Sequence, residues 1–500
     1  MSQSLRDART YEEQREKFIQ PADRPAFHLS SRVGWMNDPN GFSCYGGLYH
    51  MFYQYYPYDS QWGPMHWGHA VSRDLLHWTY LPAALAPDVS YDHAGCFSGS
   101  AVELPDGRQL LMYTGVAREV TENGDLRDVQ TQNLAVGDGV NYRKYEKNPV
   151  LTSADLPQGG SREHFRDPKM WREPDGSYRM VAVNYSKDSG GKVLLYRSAD
   201  GFDWTFEGIL AENRWRIGLM WECPDLFKLD GYDVLLASAQ DMLPKGFEYH
   251  NGDGSFYLLG HIDPASGRFI EESDHAADYG IDFYAPQTIL TPDGRRVMIG
   301  WMQNWDTCTQ RMNPVSWFGQ MSLPRELRVK NGILYQQPVR ELEALRHDKV
   351  THERVTVENG EITLPGISGR MLDLEIELEA GDFNRFAIWF AKNEQYHTGV
   401  SFRPHESILK IDRKFSGSRR AIIHQRRAKV RHENGKLKLR LILDRFSVEV
   451  FVNDGEKVLS AALYTELCAD GVAFFADGKA VFSITKYDLS PRCGGAEEAR

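Results

Sequence analysis

The sequence predicts an all-β fold, a five-bladed β-propeller followed by a C-terminal β-sandwich, on three observations. Asp-Gly or Gly-Gly hairpin signals recur at long, similar intervals through the first two thirds of the chain. A second strand–turn–aromatic element follows several of them. Beyond residue 350 the alternating runs are closely spaced and leave no room for a helix of useful length.

Residues 1–24 form an extension whose opening, "MSQSLRDARTYEEQREKF", is charged and lacks the apolar stretch of a secretory leader. The propeller is expected over 25–335. Its hairpin signals are "CYGGLYHMFYQ" (44–54), "LPDGRQLLMYTG" (104–115), "EPDGSYRMVAVN" (173–184), "KLDGYDVLLAS" (228–238) and "TPDGRRVMIGWM" (291–302). Asp-Gly between β-rich runs favours tight hairpin turns. Their tips, near 46, 106, 175, 230 and 293, recur roughly every 55–70 residues. The second element reads "HAVSRDLLHW" (69–78), "LAVGDGVNY" (134–142) and "LYRSADGFDW" (195–204). Two hairpins per period make a four-stranded unit, and such units repeated radially are propeller blades. A sandwich over this region would not require so long a period.

At 336–349 the run "QQPVRELEALR" spaces Val339, Leu342 and Leu345 by three, which predicts a short helical linker. Runs such as "DLEIELE", "RFAIWFA", "KLKLRLIL" and "SVEVFVN" then predict a sandwich over 350–490, with 491–500 as a frayed tail.

Composition narrows the function. A net charge of −11 and an isoelectric point near 5.8 argue against nucleic acid or an anionic membrane as partner. The six cysteines show no CxxC pair and no zinc spacing, so they read as reduced, packed thiols, with no metal and no cofactor expected. No apolar run approaches the roughly 20 residues of a membrane span, and a cytoplasmic protein is expected. Aromatic residues make up 12%; their flat faces suit sugar rings, but they also pack β-rich cores.

Counting back eight residues from each hairpin tip reaches Asp38, Ser98, Asp167, Glu222 and Ala285. The first strand of each propeller blade lines the central axis, so equivalent positions converge on one pocket. Three of these five are acids. Converging carboxylates repel one another and lose solvation, which serves structure poorly. Glycoside hydrolysis uses such a set: one carboxyl protonates the leaving oxygen, another attacks or activates water. Calcium binding is the competing use, but it wants several oxygens around one point. Here prolines and the apolar Trp35, Met36 and Trp221 flank the acids. Apolar neighbours raise a carboxyl pKa, so Glu222, between Trp221 and Cys223, is expected to be the proton donor.

At these residues the chain resembles glycoside hydrolase family 32, the β-fructofuranosidases (invertases, sucrose-6-phosphate hydrolases and fructan exohydrolases). The resemblance rests on "WMNDPNG" (35–41), "YQ" (53–54), "WGPMHWGH" (62–69), "FSGS" (97–100), "FRDP" (165–168), "WECPD" (221–225), "FYAPQ" (283–287), "GWM" (300–302) and "VEVFVNDGE" (448–456). It implies Asp38 as nucleophile, Glu222 as general acid/base and Asp167 as transition-state stabiliser. Trp35, Met36, Asn37, Gln54, Trp62, Phe97, Ser98, Arg166, Tyr284 and Trp301 are expected to line the fructosyl pocket. Trp62, Phe97 and Trp301 could instead pack blades, and Arg166 could be an ordinary ion pair. The implied reaction is retaining hydrolysis of terminal β-fructofuranosides, with carboxyls about 5–5.5 Å apart. A fructosyltransferase and a non-catalytic sugar-binding propeller are the alternatives. One departure is Tyr56, which stands where the family usually has Asn. The leaving group, sucrose, sucrose 6-phosphate or a fructo-oligosaccharide, is left open, as is homo-oligomerisation through the sandwich. The Arg pair 426–427 reads as solvated surface, and the pair 295–296 as a hairpin tip.

Overall fold

The computed structural model describes residues 1–308, 316–417 and 423–490; the predicted tail lies outside them. Five antiparallel sheets carry the first two thirds of the chain. Their first strands are Gly34–Tyr45, Gly95–Glu103, Phe165–Arg172, Trp221–Leu229 and Tyr284–Leu290. These strands touch one another in a closed ring, so each is the innermost strand of a blade. The fold is therefore a five-bladed propeller. Blade 1 carries a fifth strand, Trp317–Phe318, parallel to Gly34–Tyr45; it comes from between the strands of blade 5 and fastens the ring.

Every inner strand is bulged at its pocket end. The pairing slips between Met36 and Pro39, Phe97 and Gly99, Arg166 and Lys169, Glu222 and Asp225, and Tyr284 and Gln287. In blades 3–5 the bulge is a residue with positive φ followed by proline: Asp167 (59°), Cys223 (48°) and Ala285 (50°). Proline has no N–H to give the ladder, and a bulge re-aims the side chains beside it. This geometry corrects the eight-residue register. Cys223, not Glu222, is equivalent to Asp167, and Glu222 corresponds to Arg166. Counting from the tips fails because the hairpin loops differ, two residues in blade 4 (230–231) and five in blade 3 (173–177).

The predicted linker helix is a single 3₁₀ segment, Arg340–Leu345. Residues 336–338 still belong to the outer strand of blade 5, and strand resumes at Arg346, so no α-helix fits between them. Val339, Leu342 and Leu345 are buried as their spacing requires. The C-terminal domain is one antiparallel ladder folded into a sandwich. Its last strand, Gly471–Leu489, pairs first with Phe383–Lys392 and then with Leu372–Leu378, so one strand serves both parts of the sheet.

A buried polar seam joins sandwich to propeller. Glu449 accepts from Arg325 Nε (2.9 Å) and Nη2 (2.5 Å), from the Leu323 N–H (2.7 Å) and from His28 Nε2 (3.1 Å). Arg426 is buried as well, donating to the Asn251 carbonyl at 3.0 Å rather than facing solvent. The helix Gln3–Glu16 docks through Glu12, which accepts from the Ala83 N–H (2.9 Å) and pairs with Arg32 (3.0 Å).

Candidate active site

At one mouth of the propeller axis the bulged ends of the inner strands surround a cavity of about 800 Å³. Asp38, Asp167 and Glu222 all line it, from blades 1, 3 and 4. Asp38 Oδ2 accepts from Ser98 Oγ (2.8 Å) and the Cys223 thiol (3.5 Å), and its Oδ1 from Asn37 Nδ2 (3.1 Å). Asn37 is itself held by Trp35, whose indole N–H reaches its side-chain oxygen at 2.7 Å. The carboxylate's direction is thus set from three sides. Burial, and then the neighbouring charge of Glu222, push Asp38 up to about 6, although its hydrogen bonds pull the other way.

Asp167 hangs from the bulge by its own backbone. Its N–H donates to Thr114 Oγ1 (2.9 Å) and its Oδ2 accepts from the Cys223 N–H (2.9 Å). Burial raises it to about 7, against the lowering effect of Arg166. Glu222 is clasped differently. Arg166 Nε and Nη2 donate to Oε1 (3.2 and 2.9 Å), and the Tyr284 hydroxyl donates to Oε2 (2.5 Å). The apolar crowding expected around Glu222 is only partly present. Trp221 turns away, giving its N–H to the Ile217 carbonyl (2.9 Å) and packing on Phe256. Glu222 instead meets the charge and hydroxyl of its equivalents on the two neighbouring blades.

The predicted lining residues divide three ways. Asn37, Gln54, Trp62, Phe97, Ser98 and Arg166 face the cavity. Trp35, Tyr284 and Trp301 stand behind it, buried. Trp301 packs on Trp35 (6.0 Å between rings) and Trp305 (4.9 Å), so its part is to back the wall. Met36 belongs to the apolar core with Tyr53 and Met321 and does not reach the cavity, because its side chain faces the opposite side of the strand from Asn37. Trp62 is 43% exposed at the rim, edge-on to Phe97. Tyr56 lies beneath that rim: a Cβ on Gly63 would sit 2.6 Å from its ring. The departure at this position bears on the loop carrying Trp62, and Tyr56 is not among the residues that line the cavity.

Trp305, Gln240, His164 and the projecting hairpin of blade 2 also line the cavity and were not foreseen. No turn signal was read at this hairpin, whose tip holds Asn123 and Gly124, and its reach over the axis is a tertiary fact. Cys223 was read only as a packed thiol; burial keeps it protonated, so it donates to Asp38.

A propeller whose axis ends in three acidic side chains, one arginine and an aromatic rim defines a glycoside hydrolase. Comparison with known proteins agrees. The model for the Glycosyl hydrolases family 32 N-terminal domain matches residues 28–338, and that for the family 32 C-terminal domain matches 341–489. The chain belongs to glycosyl hydrolase family 32. It is 38% identical to an Escherichia coli sucrose-6-phosphate hydrolase over 457 residues, covering 88% of this chain and 89% of that protein. An E. coli raffinose invertase is 37% identical over 470 residues, covering 90% and 92%. A Bombyx mori β-fructofuranosidase, solved as a mutant with sucrose, superposes with a TM-score of 0.82 at 35% identity, covering 97% of this chain and 98% of that one.

Proposed function

We propose that the protein is a retaining β-fructofuranosidase acting on sucrose with an unphosphorylated leaving sugar. The observation that carries the chemistry is the three-sided hold on Asp38 next to Glu222. Asp38 attacks the anomeric carbon of fructose while Glu222 gives a proton to the departing glycosidic oxygen. Water, deprotonated by Glu222, then hydrolyses the fructosyl–Asp38 ester. The charge of Glu222 adds to burial in raising Asp38, so the two carboxyls are coupled at the point of reaction. Asp167, fixed by backbone on both sides, accepts hydrogen bonds from fructose hydroxyls that strengthen as positive charge develops on the ring.

The nucleophile must be ionised, and Asp38 is raised to about 6. kcat/KM for sucrose is therefore expected to fall as pH drops through about 6, with a full acid limb below it. Ser98→Ala removes a hydrogen bond that favours the carboxylate and should move this limb to higher pH. A limb left in place would show that Asp38 does not set it.

The leaving-group assignment rests on the cavity mouth. Six carboxylates line the cavity against three guanidiniums. Two of those arginines are already neutralised, Arg118 by Asp128 (3.1 Å) and Arg127 by Glu163 (2.9 Å). Burial and Arg166 push His164 down, so it adds no charge at neutral pH. A dianionic phosphate on the leaving sugar meets a net negative mouth, and like-charge juxtaposition penalises it. kcat/KM is expected to favour sucrose over sucrose 6-phosphate by about tenfold or more. Asp128→Asn, which frees Arg118, should narrow the ratio. Equal or better use of sucrose 6-phosphate would overturn the assignment.

A further inference from the structure

The opposite mouth of the propeller axis holds a second cavity, of about 750 Å³, formed by the far ends of all five inner strands. Its walls carry two inward cations, one from blade 3 and one from blade 5. Lys169, two residues beyond Asp167, is buried; its Nζ donates to the Thr288 carbonyl (2.8 Å) and lies 3.3 Å from Asp225 Oδ2. Arg296 is stacked over the Phe227 ring at 4.8 Å. The only hydrogen bond of its guanidinium among the described residues is a long one, 3.4 Å from Nη1 to Thr288 Oγ1, and its buried Nε has no partner.

Asp225 pairs with Lys169 and not with Arg296 among the described residues, and its Oδ2 is further engaged by the Thr288 N–H at 2.6 Å. The groups that act on Lys169 are Asp225 and Arg296; the acids of the catalytic mouth are not among them. Burial works against both positive charges, and Arg296 also works against that of Lys169. The acids farther out have other partners: Glu173 takes the Trp171 indole N–H (2.9 Å) and faces Arg179 (3.7 Å), and Asp233 takes the Ile262 backbone N–H (2.8 Å). Glu103 also borders the cavity and is exposed. A buried guanidinium without an anion is costly, whereas its planar fork matches an oxyanion.

The geometry points to a second ligand site here, in which Arg296 and Lys169 hold a phosphate-type oxyanion at the mouth distal to the catalytic acids. The cavity has room for inorganic phosphate or for a phosphorylated sugar. The site is independent of the fructosidase reading, since none of its residues lines the catalytic cavity.

Calorimetric titration of the full-length protein at low ionic strength tests it, with fructose saturating the catalytic cavity. Inorganic phosphate should bind saturably, one per chain, and Arg296→Gln should weaken this at least tenfold while Arg296→Lys retains part of it. Glucose 6-phosphate is the second arm: tighter binding than phosphate identifies a phosphorylated sugar as occupant, and equal binding identifies the free anion. No saturable binding to the wild-type protein overturns the proposal without recourse to any variant. So does binding that fructose displaces, or that a folded Arg296→Gln protein retains unchanged.

Discussion

Asp38→Asn is expected to release fructose from sucrose at least about 10⁴-fold more slowly than the wild type, because loss of a nucleophile removes the reaction path rather than one contact. Glu222→Gln should lose about 10²–10⁴-fold, the usual range for a general acid. The Asn variant should also be more stable. Asp38 holds its proton more tightly in the folded chain (about 6, against an ordinary 3.8). The stability this contributes is complete below 3.8 and lost as pH rises through about 6. At pH 7.5 the folded protein therefore carries a disfavoured charge, and removing it should add about 1–2 kcal/mol. Thermal unfolding and initial rates on the same preparation check both effects. A dead variant with a lowered Tm would show that Asp38 serves structure.

The second large effect is expected at the seam between the domains. Glu449 is fully buried and takes four donors, two of them from Arg325, which is buried too. Glu449→Ala strands that guanidinium and His28, and should cost about 3–5 kcal/mol, read as a fall in Tm. Arg325 keeps Asp278 at 3.0 Å and His28 keeps Asp444 at 2.8 Å, which limits the loss to that range. Burial opposes a charge on His28, but Asp444 and Glu449 outweigh it and hold the imidazolium up to about 9. Its contribution is complete below the ordinary 6.5 and lost as pH rises through 9. The wild type should lose stability across that window, and Glu449→Ala should lose less there. A Glu449→Ala protein as stable as wild type would show that the seam does not hold the domains together.

These two sites differ in how much of them is visible in the chain. The blades were legible because turn chemistry is local: Asp-Gly and Gly-Gly fix where a strand pair reverses, and five such signals fix five blades. Asp38 and Asp167 were legible for the same reason, each sitting before a proline at a fixed step from a turn. Glu222 was reached one residue out of register, because hairpin loop length is not carried by the tip dipeptide. Its surroundings were misjudged in consequence. Sequence neighbours on a strand point to opposite faces, so Trp221 says little about what Glu222 meets, and Arg166 and Tyr284 lie 56 and 62 residues away from it. Met36 failed likewise, as a residue beside the site in the chain but behind it in space. The seam left no local signal at all. Glu449 and Arg325 are ordinary charged residues of alternating strands, 124 positions apart, and only the packing of sandwich on propeller makes them partners.

The account turns on Asp38 becoming covalently bonded to fructose. The most direct measurement is mass spectrometry of wild-type protein quenched in acid during steady turnover of saturating sucrose and then digested with pepsin. The prediction is one added dehydrated hexose on the peptide spanning Gly34–Tyr45, absent from Asp38→Asn. An adduct on the peptide of Asp167 or of Glu222, or none under conditions of rapid fructose release, would contradict it.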